Sequence, residues 1–144
     1  YTSIAVTTDD SNDEIVYASS MGDGVIQYKN GTPVQSYNEK NAFKETAGGY
    51  GSGYCYIDGL AFDKNGNLWM TSSEVNHAVL VLDKAGAWHR LDIEQLRGVY
   101  TINDILITST NDKWIYVPRN TPKLVMIPNS EALDEVSSYV YYTY

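Results

Sequence analysis

The chain has 144 residues, of which 43% are hydrophobic, 12% aromatic and 19% charged. This is the composition of a globular chain long enough for one domain, and it excludes disorder and fibrous repeats. Lys and Arg number 10 against 18 Asp and Glu, a net charge of −8 with the basic residues scattered singly; that disfavours nucleic-acid binding, which depends on displacing counterions from phosphate, and a polybasic membrane contact. No apolar run reaches the roughly 20 residues that span a bilayer, so no membrane insertion is expected. The start, Tyr1-Thr2-Ser3-Ile4, has neither Met nor a signal-like apolar stretch and reads as an excised segment or a mature chain. Cys55 is the single cysteine, which leaves no internal disulfide, CxxC pair or multi-Cys zinc site.

In chain order, short apolar runs alternate with turn residues. Ile4-Ala5-Val6 is followed by an acidic turn at 9–13, then Ile15-Val16-Tyr17-Ala18, Val25-Ile26-Gln27-Tyr28, the turn Lys29-Asn30-Gly31 and Val34-Gln35-Ser36-Tyr37. A Gly- and Tyr-rich stretch over 41–56 precedes the next group: Ile57 to Phe62, the turn Lys64-Asn65-Gly66-Asn67, Leu68-Trp69-Met70, Val79-Leu80-Val81-Leu82, Lys84-Ala85-Gly86 and Trp88-His89-Arg90-Leu91. A third group holds Ile105-Leu106-Ile107, Trp114-Ile115-Tyr116 and Leu124-Val125-Met126-Ile127. Asn-Gly between apolar runs favours the tight turns that join antiparallel strands, because both central residues need positive φ. An all-β chain is expected, with helical turns confined to 93–96 and 130–136.

The three groups are copies. Ile57-Asp58-Gly59-Leu60-Ala61-Phe62 lies over Ile102-Asn103-Asp104-Ile105-Leu106-Ile107 at a shift of 102 − 57 = 45, and Trp69 lies over Trp114 at the same shift. The first copy places Ser3-Ile4-Ala5-Val6 over Gly59-Leu60-Ala61-Phe62, and Ile15 to Ser20 over Leu68 to Ser73. Four short antiparallel strands recurring every 40 to 50 residues or so are the pattern of propeller blades. The expected fold is a β-propeller fragment of about three four-stranded antiparallel blades, at 1–43, 44–98 and 99–144, the last incomplete in its pattern and ending in a Tyr-rich tail. Closed propellers have roughly four to eight blades, so this fragment leaves two end faces, and Trp69 and Trp114 are assigned to packing between blades.

The stretch Gly59-Leu60-Ala61-Phe62-Asp63-Lys64-Asn65-Gly66-Asn67-Leu68-Trp69-Met70-Thr71-Ser72 resembles the repeat of two-component regulator propellers, the periplasmic sensor repeats of Bacteroidetes hybrid histidine kinases. The wider order, with Ile26 to Gly31 and Tyr37-Asn38-Glu39 before it and Lys113-Trp114-Ile115-Tyr116-Val117-Pro118-Arg119 after it, is similar to PorZ-type propellers of the type IX secretion system. The third copy departs in carrying Asn111-Asp112 at its turn, and the tail Tyr139-Val140-Tyr141-Tyr142-Thr143-Tyr144 matches nothing in the pattern. The resemblance implies a non-enzymatic interaction module of the periplasm or outer-membrane surface. Implied partners are further propeller blades or a second copy of the chain on the end faces, and a secretion-machinery protein or an oligosaccharide elsewhere. The alternative it implies is an oligosaccharide sensor of a hybrid two-component system.

No catalytic, metal or cofactor site emerges from the residues. Asp63-Lys64-Asn65-Gly66-Asn67 has the alternating oxygens of a calcium loop, but Leu68 stands where an EF-hand needs its sharp-turning Gly, and a hairpin turn explains the same residues. Gly49-Tyr50-Gly51-Ser52-Gly53 lacks the strand, helix and third Gly of a dinucleotide fingerprint. His77 and His89 are too few and wrongly spaced for zinc. A lyase or glycosidase would need convergent acids and bases, and Glu74, His77 and Arg119 make a weak set. In a propeller, the loops joining successive blades share a face with those joining second and third strands. That face carries Tyr50, Tyr54, Asn76, His77, Arg119 and Asn120, where aromatic rings can stack and amides or guanidinium can bond hydroxyls and carboxylates.

Overall fold

The structure is a computed structural model, and it describes residues 1–43, 53–129, 133–134 and 140–143. Its strands fall into three antiparallel meanders. The first holds β1 (Ile4–Thr8), β2 (Glu14–Gly22), β3 (Gly24–Lys29) and β4 (Thr32–Tyr37); the second β5 (Cys55–Phe62), β6 (Leu68–Ser72), β7 (Val79–Leu82) and β8 (Trp88–Leu91). The third holds β9 (Asp104–Ile107), β10 (Lys113–Val117), β11 (Lys123–Ile127) and β12 (Val140–Thr143). Within each, the strands pair in sequence order, and β5 lies beside both β1 and β9, so the first strands form the inner layer. The long β2 also reaches the second meander through Met21↔Tyr56 and Gly22↔Cys55. A 3-10 turn at Glu94–Leu96 lies in the 93–96 stretch expected to turn, and 130–136 lies largely outside the described residues.

Two expectations change. The Tyr-rich tail supplies the fourth strand of the third blade, β12, which pairs with β11 at Leu124↔Tyr142 and Val125↔Tyr141. The first copy is aligned one residue away from where Ile15 and Leu68 would coincide: Ala5 pairs with Tyr17 as Ala61 pairs with Trp69, so Val16 matches Leu68 and Tyr17 matches Trp69. A bond repeated in both blades fixes that register, Ser3 N donating to Ser19 Oγ as Gly59 N donates to Thr71 Oγ1. Because strand side chains alternate, the one-residue difference reverses which residues face which neighbour.

With that register, Tyr17, Trp69 and Trp114 all face forward, toward the following blade. Tyr17 enters the core between the first two blades with Ala5, Ile15, Leu60, Leu68 and Met70, and its ring meets Phe62 edge-on at 5.8 Å. Trp69, 2% exposed, enters the core between blades two and three with Val79, Leu91, Ile105, Ile115 and Val125. Trp114 meets no further blade among the described residues; it is half-buried and stacks on Tyr142 at 6.2 Å. The packing expected of both tryptophans thus holds for Trp69 alone. Leu106, beside Trp114 in the ladder, is 62% exposed, and on the backward face of blade one Ile4 and Val6 are 63% and 57% exposed. Gly59 sits where β9 crowds β5: a Cβ there would lie 2.7 Å from Ile105 N.

Lys113 begins β10 where the second blade has Leu68, and its side chain is fully buried. Its ammonium lies 4.5 Å from the Trp69 ring centroid with no hydrogen-bond acceptor. Burial pushes its pKa below the ordinary lysine value, against the nearby charges of Asp63 and Asp112. A buried charge with one π face as its partner costs more than an apolar residue of similar size. Lys113→Leu, which restores the residue of the second blade, should raise the free energy of unfolding by about 1 kcal/mol or more in urea titrations; a loss of stability would show the cation–π contact to dominate.

Candidate functional site

The loop face assembles at the end of the blades where inner strands begin. Glu74 N donates to the Val99 carbonyl at 2.8 Å and Gly98 N to the Val75 carbonyl at 2.9 Å, tying the β6–β7 loop to the β8–β9 connection. Lys123 Nζ donates to the Gln95 carbonyl at 2.8 Å, bringing the start of β11 to the same connection. The β2–β3 turn meets the segment before β5, where Tyr54 packs over Gly22. The expected residues occupy three loops of this face. Tyr54, half-buried before β5, meets Tyr56 edge-on at 6.3 Å; exposed Asn76 and half-buried His77 lie between β6 and β7; exposed Arg119 and Asn120 lie between β10 and β11. Tyr50 lies outside the described residues. The β10–β11 loop turns through positive φ at Asn120 (54°) and Thr121 (93°), which suits Asn and strains a β-branched residue.

A cluster that the repeat pattern did not single out lies beneath this face. Asp58, 7% exposed at a break in the β5–β6 register, accepts a hydrogen bond from Ser73 Oγ at 2.7 Å, and the same hydroxyl accepts from Ile102 N at 2.8 Å. One hydroxyl thus joins the inner strand of blade two to the entry of blade three. Burial pushes the Asp58 pKa up to about 7, helped by the nearby Asp104 charge and opposed by the Ser73 bonds. Its sequence signal was the Asp58–Asn103 alignment, two polar residues inside apolar strands.

At the opposite end the strand turns are locked by carboxylates. Asp63 Oδ1 accepts from Asn65 N and Asn67 N, and Oδ2 from Asn67 Nδ2 and Trp69 Nε1, each at 2.9 Å. Burial alone would raise this carboxyl's pKa, but the bonds from Trp69 and Asn67 outweigh it and hold it below the usual range. Of the oxygens that suggested a calcium loop, both of Asp63 are taken by the hairpin and the blade's tryptophan, and Asn67 Oδ1 accepts from Lys84 N at 3.1 Å. In the first blade, Asp9 and Asp13 hold Lys29 Nζ at 2.7 and 2.8 Å across a solvent-facing turn. Between these two turns a groove of about 570 Å³ opens, floored by Tyr17, Phe62 and Leu82. Between blades two and three Asn111 spans the corresponding gap, accepting from Lys64 N at 3.1 Å; the residue at its repeat position in blade two is Gly66, which has no side chain to do so.

Three four-stranded meanders stacked about a shared inner layer, the first two each sending an aromatic into the next, make this an all-β propeller segment. No protein-family model and no curated protein sequence matches the chain. Among solved structures it is similar to PorZ, an essential bacterial surface component of the type IX secretion system of Porphyromonas gingivalis, with TM-score 0.75 and 21% identity over 96% of this chain and 19% of that one. It is also similar to the extracellular domain of a hybrid two-component system from B. thetaiotaomicron, with TM-score 0.55 and 15% identity over 96% of this chain and 16% of that one. Both likenesses are of fold, and both match the resemblance read from the repeat. The chain spans less than a fifth of the length of either protein.

The buried Asp58 carboxyl sets a pH dependence. Its folded-state pKa is raised, so its contribution is complete below about pH 4 and is lost as pH rises through about 7. Asp58→Asn, which keeps an oxygen for Ser73, should flatten that loss and raise the unfolding free energy at pH 8 by ~1–3 kcal/mol; unchanged pH dependence in denaturant titrations would show the carboxyl to be solvated.

Proposed function

We propose that the chain is a run of three successive blades within a larger β-propeller, serving as a non-enzymatic interaction module of a Bacteroidetes cell-envelope protein. Trp114 carries this reading: it stands where Tyr17 and Trp69 bury themselves in a following blade, yet it is only half-buried, stacked on Tyr142. On the other end, Ile4 and Val6 occupy the positions of Leu60 and Phe62, which in blade two pack back against blade one. Exposed apolar surface on both ends is costly in water, so further blades of the same propeller are the proposed occupants. The small share of PorZ that the chain spans supports this. The role proposed for it is accessory, at the periplasmic or outer-membrane surface, with the loop face of Tyr54, Asn76, His77, Arg119 and Asn120 meeting a secretion-machinery protein; the likeness of fold to PorZ supports this reading. A second reading, an oligosaccharide sensor of a two-component system, draws on the weaker likeness to the B. thetaiotaomicron domain. Flanking sequence separates them: a transmembrane helix and histidine kinase mark the sensor.

Deprived of neighbouring blades, the chain should cover its end faces with a second copy, forward face to backward face. Light scattering behind size-exclusion chromatography should show mass rising with concentration, and Leu106→Asp or Val6→Asp should abolish the rise while leaving circular dichroism unchanged. A monodisperse monomer at high concentration would count against the reading.

A further inference from the structure

His89 lies on β8 with its ring on the face of blade two that meets blade three. Its Nε2 is 2.8 Å from Asp83 Oδ2 and its Nδ1 is 2.6 Å from Asp134 Oδ1. A neutral imidazole carries a proton on one nitrogen only, and an ionised carboxylate has none to give, so the imidazolium alone satisfies both contacts at once. The two carboxylates differ in freedom. Asp83, at the β7–β8 turn, is largely buried and its Oδ1 accepts from Ala87 N at 2.8 Å, which fixes it. Asp134 is open to solvent in the β11–β12 connection of blade three, beside Leu133, which packs into the core between blades two and three. Opposite His89 in the ladder is the uncharged Val81, and the adjacent Arg90 donates away from it, to the Ala42 carbonyl. Among the described residues, Asp83 and Asp134 are therefore the charges set against the ring.

We propose that His89 is a proton-operated latch that fastens Asp134 of blade three to the outer strand of blade two, closed with both ring nitrogens protonated and open when one proton leaves. Loss of that proton frees the exposed partner first, because Asp83 is held by its own turn. Asp134 stands 140 − 134 = 6 positions before β12 in the sequence, and β12 brings Tyr142 over Trp114 on the forward end face. The latch thus sets how firmly that cover is seated, and with it the readiness of the face for another blade. Hydrogen bonds to Asp83 and then Asp134 hold the His89 pKa above its ordinary value, so the latch is closed at and below about pH 6.5 and opens as pH climbs through the folded-state value.

The test uses the 15N-labelled 144-residue chain, with ring nitrogens followed by long-range proton–nitrogen NMR and His89 distinguished from His77 by its loss in His89→Gln. His89 should titrate above pH 6.5, and Asp134→Asn should lower its midpoint by about half a pH unit. Amide protection in β12, corrected for intrinsic exchange, should fall about threefold as pH passes the midpoint in the native chain, but not in Asp134→Asn. A neutral His89 ring at pH 6.5, an unshifted midpoint in Asp134→Asn, or β12 protection indifferent to that midpoint would each overturn the latch.

Discussion

The packing of one blade's aromatic into the next is the interaction on which the rest of the structure depends. Trp69 shows how it is built. Asp63 closes the β5–β6 turn with one oxygen and grips the indole N–H with the other, so the strand turn and the inter-blade contact share one carboxylate. That arrangement points the ring forward and meets its polar N–H, leaving the apolar surface to Ile105, Ile115 and Val125. A four-stranded blade is hydrophobic on both faces and gains little alone; its stability comes from neighbours on each side.

The same logic explains why the two interfaces differ. Between blades two and three, turn meets turn through Lys64 and Asn111, and the His89–Asp134 contact crosses the outer strands. Between blades one and two, the mouth stands open because Gly66 brings no side chain where Asn111 brings an amide. The cost in the tighter interface is Lys113, a charge sealed against the indole it flanks. Polar groups at blade seams thus set local differences in stiffness and pH response on a common apolar frame, Asp58 at the loop end and His89 at the outer edge.

Much of this was legible in the sequence because a shift of 45 residues carried two strands and a turn without a gap, and periodicity survives substitution. The first copy misled by one residue, since its longer turn removes the anchor and Ile15-Val16-Tyr17 is apolar in either register; the Ala5–Tyr17 pairing and the Ser3–Ser19 bond, both tertiary facts, settle which face Tyr17 takes. The strand β12 was hidden because its run of tyrosines has no counterpart in the other copies. The candidate face was legible as a set of loops from topology alone, but its chemistry was not. The Asp58–Ser73–Ile102 relay and the two carboxylates on His89 join residues up to 45 positions apart, and no short motif announces them.

Stacked blades with one unfilled forward face require two equivalent tryptophans in unlike surroundings. Acrylamide quenching of variants keeping only Trp69 or only Trp114, each with Trp88→Phe, measures that contrast directly. Trp69 should resist quenching in the isolated chain diluted to the monomer while Trp114 is readily quenched, and Trp114 should become protected at concentrations where the end faces pair. Equal accessibility of the two in the isolated chain would contradict the stacking of blade three on blade two.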